Sequence, residues 1–141
     1  MIRKLRKADV NRVAKIWLDT NIKAHYFISV QYWKNNFELV KELLLQTTVY
    51  VYEDNQGIWG FIGLNDEYVE GIFVSDEMQS LGIGKALLSY AKDKLSKLFL
   101  NVYQKNTRAI SFYQREGFEI QYSGLDEATG EKEYVMAWQR K

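Results

Sequence analysis

The sequence of 141 residues contains no cysteine, no proline and a single histidine, His25. Because cysteine is absent, the chain has no disulfide, no thiolate metal ligand and no cysteine nucleophile. Without proline, no cis-proline can slow folding. One histidine also excludes a catalytic triad or a zinc cluster built on several histidines. The absence of cysteine suits a reducing compartment, so we expect a cytoplasmic protein.

Long apolar runs and a strong net charge are missing as well. The longest apolar stretches fall far short of the roughly 18 residues that a membrane helix needs. The basic N-terminus is not followed by the apolar region of a signal peptide. The formal net charge of +1 provides no overall attraction to nucleic acid or to an anionic membrane. We therefore expect neither a membrane partner nor a nucleic-acid partner.

The composition and the periodicity favour one packed domain over residues 1–141. Apolar residues make up 47% of the chain and aromatic residues 15%, which is ample for a core. The apolar spacing predicts the order β-α-α-β-β-β-α-β-α-β-β, a mixed α/β (α+β) fold. The predicted strands are 2–6, 48–53, 58–64, 68–74 with a candidate bulge at Gly71, 98–103, 118–124 and 132–138.

Polar caps predict where three of the helices begin. Asp9, Ser29 and Asn106 each precede an apolar pattern of helical spacing. The helix after Ser29 is predicted to continue without a break as far as Leu44, because its apolar residues fall on one face. A further helix is predicted over 82–97, and the helix after Asn106 is predicted to stop at Gly117.

The most informative segment joins strand 68–74 to helix 82–97 and reads Gln79-Ser80-Leu81-Gly82-Ile83-Gly84-Lys85-Ala86. Its glycines allow backbone N–H groups to approach a ligand closely. The first N–H groups of a helix lack partners and, with the helix dipole, attract anions. The alternative is a glycine-rich turn that merely begins a helix. The spacing is not that of a P-loop, and Leu87 stands where a dinucleotide motif has its third glycine.

Two motifs resemble the GNAT acetyltransferase superfamily. Gln79-x-x-Gly82-x-Gly84 is similar to the Gln/Arg-x-x-Gly-x-Gly/Ala motif of that family. The run from Asn106 to Phe118 resembles its Asn-x-x-Ala-x-x-Phe-Tyr-x-x-x-Gly-Phe element. The order of elements extends the resemblance to essentially the whole chain, and small bacterial members are the most similar. Many members have Arg-Gly-x-Gly in the loop, so one phosphate-directed arginine is missing here and affinity for the cofactor is expected to be lower.

The resemblance implies the GNAT fold, a mixed and mostly antiparallel sheet of about six to seven strands with helices on both faces. It implies acetyl-CoA as cosubstrate and no metal, because transfer is direct. The pantetheine arm would enter between strands 68–74 and 98–103, and a bulge N–H near Val74 would polarise the thioester carbonyl. The implied cofactor residues are Ile72, Phe73, Val74, Gln79, Leu81, Gly82, Ile83, Gly84, Lys85, Ala86, Asn106 and Phe112.

The resemblance also assigns chemistry to individual side chains. Tyr113 occupies the position of the general acid, and its ordinary pKa of about 10 keeps it protonated at neutral pH. The alternative is that Tyr113 is one of ten tyrosines and only packs a helix on the core. Glu70 is the candidate base, unless its side chain faces solvent. His25, Phe27 and Tyr68 are the candidate acceptor residues, although a lone histidine is more often structural.

The sequence leaves the acceptor open. The resemblance implies a primary amine, either a protein lysine side chain or a small molecule such as a polyamine, an aminoglycoside or an amino acid. One alternative is a module that binds coenzyme A without catalysis. Another is a nucleic-acid binder that uses the basic residues Lys92, Lys94, Lys97, Lys105 and Arg108. These residues are interleaved with acidic ones, and a solvated helix face explains most of them. Both a monomer and a homodimer remain compatible with the sequence.

Overall fold

The computed structural model describes all 141 residues as seven strands and five α-helices. In chain order the elements are β1 Ile2–Lys4, α1 Val10–Ala24, α2 Val30–Asn35, α3 Phe37–Leu44, β2 Thr48–Asp54, β3 Gly57–Asn65, β4 Tyr68–Val74, α4 Ile83–Lys94, β5 Lys97–Tyr103, α5 Thr107–Arg115, β6 Glu119–Asp126 and β7 Glu131–Gln139. Two short 3-10 turns, Lys7–Asp9 and Asp76–Met78, precede α1 and α4. The longest helix, α1, has 15 residues, and none of the helices has the length and apolar character of a membrane span.

All seven strands form one sheet in the order β1-β2-β3-β4-β5-β7-β6. Every neighbouring pair is antiparallel except β4 and β5, which run parallel. The predicted mixed, mostly antiparallel sheet is therefore confirmed. A parallel pair needs a crossover connection, and α4 provides it.

Strands β4 and β5 diverge along their length. Only Tyr68 and Phe99 are paired across them, and the amide of Phe99 donates to the carbonyl of Glu67 at 3.1 Å. On its other side β4 stays paired with β3 as far as Val74. The second half of β4 therefore has one bonded edge and one free edge, and a gap opens beside it in the middle of the sheet.

The two faces of the sheet carry separate cores. Neighbouring residues in a strand point to opposite faces, so the buried Tyr50 and Val51 of β2 belong to different clusters. One cluster contains Leu87 and Leu88 of α4 together with residues of α5. The other contains Val13 and Ile16 of α1 together with Leu44 of α3. The helices thus pack on both faces, with α4 and α5 on one and α1 and α3 on the other.

The predicted caps are confirmed at two helices and wrong at one. The Ser29 hydroxyl accepts the amide of Tyr32 at 3.3 Å, and Asn106 Oδ1 accepts the amide of Ala109 at 3.2 Å. Asp9 makes no capping bond to α1. Its carboxylate instead accepts the amide of Arg6 at 2.7 Å and binds the guanidinium of Arg3 at 2.8 Å, because the 3-10 turn places it beside β1.

Two further details differ from the predictions. The helix after Ser29 breaks at Asn36, which separates α2 from α3. The bulge predicted near Val74 lies instead at Glu70, which is skipped where the register passes from Gly63 opposite Gly71 to Leu64 opposite Val69. The candidate bulge at Gly71 is thus displaced by one residue.

Candidate active site

A groove of about 1120 Å³ runs through the gap between β4 and β5. Its walls come from β4, from the loop 75–82 and the first turn of α4, from α5, and from the end of α1 with α2. Of the residues predicted from the sequence, the groove is lined by His25, Tyr68, Glu70, Ile72, Phe73, Val74, Gln79, Gly82, Ile83, Gly84, Lys85, Asn106, Phe112 and Tyr113. Leu81, Ala86 and Phe27 do not line it.

One end of the groove presents a row of free backbone donors. Six consecutive amides, from Ser80 to Lys85, donate no hydrogen bond within the chain. Gly82 adopts a φ of +87°, a left-handed conformation that favours glycine and turns the loop into the helix. The amide of Ala86, predicted to be free, donates to the carbonyl of Gly82 at 2.9 Å. Unpaired N–H groups at the positive end of a helix dipole form a site for an anion.

The backbone at this end is open to a close approach. A Cβ atom added at Gly82 would meet nothing within 4 Å, and one added at Gly84 would lie 3.6 Å from the ring of Phe112. A ligand can therefore reach the amides without obstruction from side chains, with Phe112 as a neighbouring apolar wall. Leu81 is exposed and does not line the groove.

Basic side chains complement these donors. Lys85 lines the groove, and so does Arg108 of α5. The Arg108 guanidinium donates from Nη2 to the Ser80 hydroxyl at 3.2 Å, so a second helix brings a positive charge to the loop. Gln79 braces the loop, because its Nε2 donates to the carbonyl of Val74 at 3.0 Å.

Tyr113 closes the groove from the side of α5. The residue is 8% exposed, and its hydroxyl has no hydrogen-bond partner in the chain. The hydroxyl oxygen is not fully buried, and because Tyr113 lines the groove, this oxygen is open to it. Burial, with a smaller effect of Tyr68, raises the pKa of Tyr113 well above its ordinary value. The hydroxyl is therefore protonated at every physiological pH.

Tyr68 and Glu70 lie on β4, beside the gap. Burial and the charge of Glu70 raise the pKa of Tyr68 to about 12, so this hydroxyl is also protonated. Glu70 is exposed and lines the groove. The bulge at Glu70 interrupts the alternation of the strand, so that Glu70 and the residues after it are offset relative to β3.

His25 joins the end of α1 to the start of α5. Asn106 uses its Oδ1 to cap α5, so its Nδ2 faces His25 Nε2 at 3.1 Å. Burial lowers the pKa of His25 to about 4, so the ring is neutral. Its Nε2 therefore accepts from Asn106, and the proton resides on Nδ1, which is buried without a partner. Phe27 packs edge-on against this ring at a centroid distance of 5.6 Å and supports it from behind.

Several residues that line the groove are not among the predicted site residues, and Trp33, Tyr103, Arg108 and Glu133 are four of them. Trp33 stacks on His25 with ring centroids 5.4 Å apart. Arg108 lies within the second motif, but its spacing alone does not show that it reaches the loop. Glu133 comes from β7, whose position beside β5 depends on the sheet order. No group of three or more His, Cys, Asp or Glu side chains is placed to hold a metal ion.

Fold and groove together define an α/β protein with an anion site at a helix N-terminus and a cleft between two diverging strands. A family model described as the acetyltransferase (GNAT) domain matches residues 46–120, which include the loop, α4 and α5. This is more than half of the chain, and the chain belongs to the GNAT acetyltransferase family. The resemblance found in the motifs is confirmed.

Three relatives illustrate the similarity. Peptidyl-lysine N-acetyltransferase YiaC of Escherichia coli (strain K12) is 31% identical over 140 residues, which cover 98% of this chain and 96% of YiaC. The apo form of YjaB from Escherichia coli has a TM-score of 0.88 at 22% identity, with 100% of this chain and 98% of YjaB covered. YncA from Salmonella typhimurium, solved with its cofactor acetyl-CoA, has a TM-score of 0.69 at 18% identity, with 100% and 94% covered.

Proposed function

We propose that this protein transfers the acetyl group of acetyl-CoA to a primary amine, and that the amine is a lysine side chain of a protein. The observation that carries the proposal is the groove itself, which leads from six free amides to the unpaired hydroxyl of Tyr113. The name of YiaC as a peptidyl-lysine N-acetyltransferase supports the choice of lysine.

The loop and the first turn of α4 would hold the cofactor. The free amides of Gly82, Ile83 and Gly84 would bind the pyrophosphate, and Lys85 and Arg108 would add charge. Arg108 would compensate for the arginine that the loop lacks. The free edge of β4, at Ile72, Phe73 and Val74, would bind the amide-bearing arm as an added strand would. Acetyl-CoA supplies an acetyl thioester, which an unprotonated amine can attack.

Tyr113 would supply the proton for the departing thiolate. An ordinary thiol has a pKa of about 8.5, so donation by a tyrosine in water would be uphill. Burial raises the pKa of any acid whose ionised form is an anion. A thiol beside Tyr113 is subject to the same burial, so its pKa rises together with that of Tyr113 and the proton transfer is no more uphill than in water. Tyr113 would thus donate its proton to sulfur inside the groove.

Glu70 would help to deprotonate the acceptor. It is the carboxylate on β4 that lines the groove beside the gap, and being exposed it can pass a proton to water. Tyr68, protonated and next to Glu70, would orient the amine by a hydrogen bond rather than act as the base. His25 would shape the acceptor end, because its neutral ring already accepts from Asn106.

The proposal is tested by coenzyme A release with matched peptides. One peptide carries a free lysine side chain and a blocked N-terminus, and its partner carries acetyl-lysine with a free N-terminus. We expect acceptor-dependent thiol release and acetylation, detected by mass spectrometry, with the first peptide alone. Thiol release with the second peptide would show that the acceptor is an N-terminal amine, and release with small amines alone would show that it is a small molecule. No release with any amine, from a folded protein that binds acetyl-CoA, would contradict catalysis.

A further inference from the structure

Glu133 on β7 is a half-buried carboxylate without a cationic partner. Its Oε1 accepts a hydrogen bond from Asn101 Nδ2 at 3.1 Å, and it takes part in none of the ion pairs of the chain. Its neighbour Glu131 differs in this respect, because it pairs with Lys105 at 3.1 Å. A carboxylate that lines a groove without a counter-charge attracts a cationic ligand, because the ligand supplies the missing partner.

The sheet places Glu133 inside the groove but away from the reacting gap. Glu133 lines the groove and lies opposite Tyr103 of β5. Neighbouring strands are about 4.8 Å apart, so β7 lies roughly 10 Å from β4, and further where β4 and β5 diverge. Glu133 also contributes to the raised pKa of Tyr68, which agrees with a position across the acceptor end. Glu133 is therefore close to the acceptor end, on a strand that β5 separates from the strand of Glu70.

The positive charge nearest to the free amides comes from two lining residues. Lys85 belongs to the first turn of α4, and Arg108 donates to Ser80 of the loop. Glu133 lies on β7, on the far side of β5 from the loop strand β4. A positive charge on the acceptor is repelled by the first pair and attracted by Glu133, which favours one orientation of a cationic acceptor.

We propose that Glu133 is a specificity-determining residue that binds a second, non-reacting positive charge of the acceptor. The groove then selects amines that carry a second cationic group over amines that carry only the reacting one. This inference rests on the proposed acetyltransferase function and adds to it the charge class of the acceptor. The dication can be a small diamine or a lysine with a basic residue beside it, and the two sources share the same chemistry.

The test compares matched acceptors in three proteins. Cadaverine is compared with pentylamine, and a peptide with arginine next to its lysine is compared with the same peptide carrying neutral citrulline there. Each pair yields a ratio of kcat/KM values, dication over monocation. The proteins are the wild type, Glu133→Gln and Glu119→Gln. Glutamine at 133 keeps an oxygen for Asn101 and so preserves the fold, while exposed Glu119 on β6 is a charge-matched control outside the groove.

We expect the wild type to favour the dication in at least one pair. In Glu133→Gln that ratio should fall about tenfold, the scale of one partly desolvated charge pair, and in Glu119→Gln it should stay within about twofold. The pair that responds identifies the source of the second charge. A wild-type ratio near unity in both pairs, or an equal fall in both variants, overturns the inference while transfer itself persists. No coenzyme A release with any acceptor overturns the proposed function, and the inference with it.

Discussion

Tyr113 has two properties that only its environment creates. It is almost fully buried, and its hydroxyl is nevertheless open to the groove and unpaired. The motif around it identifies the position in the sequence, whereas the raised pKa comes from burial between α5 and the sheet. The hydroxyl of a buried tyrosine that serves packing alone usually forms a hydrogen bond to another group of the protein. The orientation of this hydroxyl is therefore what supports the role of acid.

Replacing Tyr113 with Phe removes the hydroxyl and keeps the ring. Loss of a general acid lowers kcat by a factor of about 10² to 10⁴, while binding of acetyl-CoA is expected to change little. Steady-state kinetics and calorimetric binding, measured on the same preparation, check both parts. An unchanged kcat would show that the tyrosine only packs α5.

Arg108 is the side chain that brings a guanidinium to the loop. Arg108→Gln is expected to weaken acetyl-CoA binding about five- to tenfold, as one charge-assisted contact to phosphate is lost. The control is Lys97→Gln, which removes the same charge from an exposed residue at the start of β5 that does not line the groove. Equal affinities for the two variants would place the phosphates away from Arg108.

At the scale of elements, the start of α5 and the end of α1 are linked through one side chain. Asn106 caps α5 with its oxygen and donates to His25 with its nitrogen. Sequence patterns were sufficient for the caps at Ser29 and Asn106, since a cap acts on the residues that follow it. They failed at Asp9, whose partner Arg3 is on a strand, and at Asn36, where the break separates two helices with different packing neighbours. The link to His25 spans 81 positions and has no local signal.

Two substitutions separate the functions of Asn106. Asn106→Ala removes both bonds and should destabilise the fold by about 1 to 2 kcal/mol through the lost cap. Asn106→Asp keeps the capping oxygen, replaces the donor with a carboxylate beside His25 Nε2, and should raise the pKa of His25 above about 4. The chain has one histidine, so a single imidazole resonance in an NMR titration reports the shift. An unchanged pKa in the Asp variant would contradict the contact.

At the scale of the whole molecule, the groove exists because two helical layers leave the β4–β5 gap uncovered. The apolar spacing predicted the order of strands and helices, and the family resemblance implied the mostly antiparallel sheet with helices on both faces. The gap, the bulge at Glu70 and the approach of Glu133 depend on register and strand order, which no short segment encodes. For this reason the loop and Tyr113 could be predicted from motifs. At the acceptor end His25, Tyr68 and Glu70 were predicted, whereas Glu133 was not.

A fall in pH should lower the stability of the fold through protonation of His25. Its pKa is about 4 when folded and 6.5 ordinarily, so below pH 6.5 the unfolded chain binds a proton that the folded chain does not. Stability is therefore lost as the pH falls from 6.5 towards about 4. The loss of Tm over this range is expected to be smaller in His25→Gln than in the wild type. Parallel Tm curves would show that ionised carboxylates account for all of the acid sensitivity.

The most direct test of the account is a calorimetric titration with acetyl-CoA, because every later step depends on the free amides of α4. The wild type should bind at one site. Gly84→Glu places a carboxylate beside those amides and should weaken binding about tenfold or more. The control Ser89→Glu, on the exposed face of the same helix, should bind as the wild type does. No binding to the folded wild type, or binding that Gly84→Glu leaves unchanged, would contradict the account.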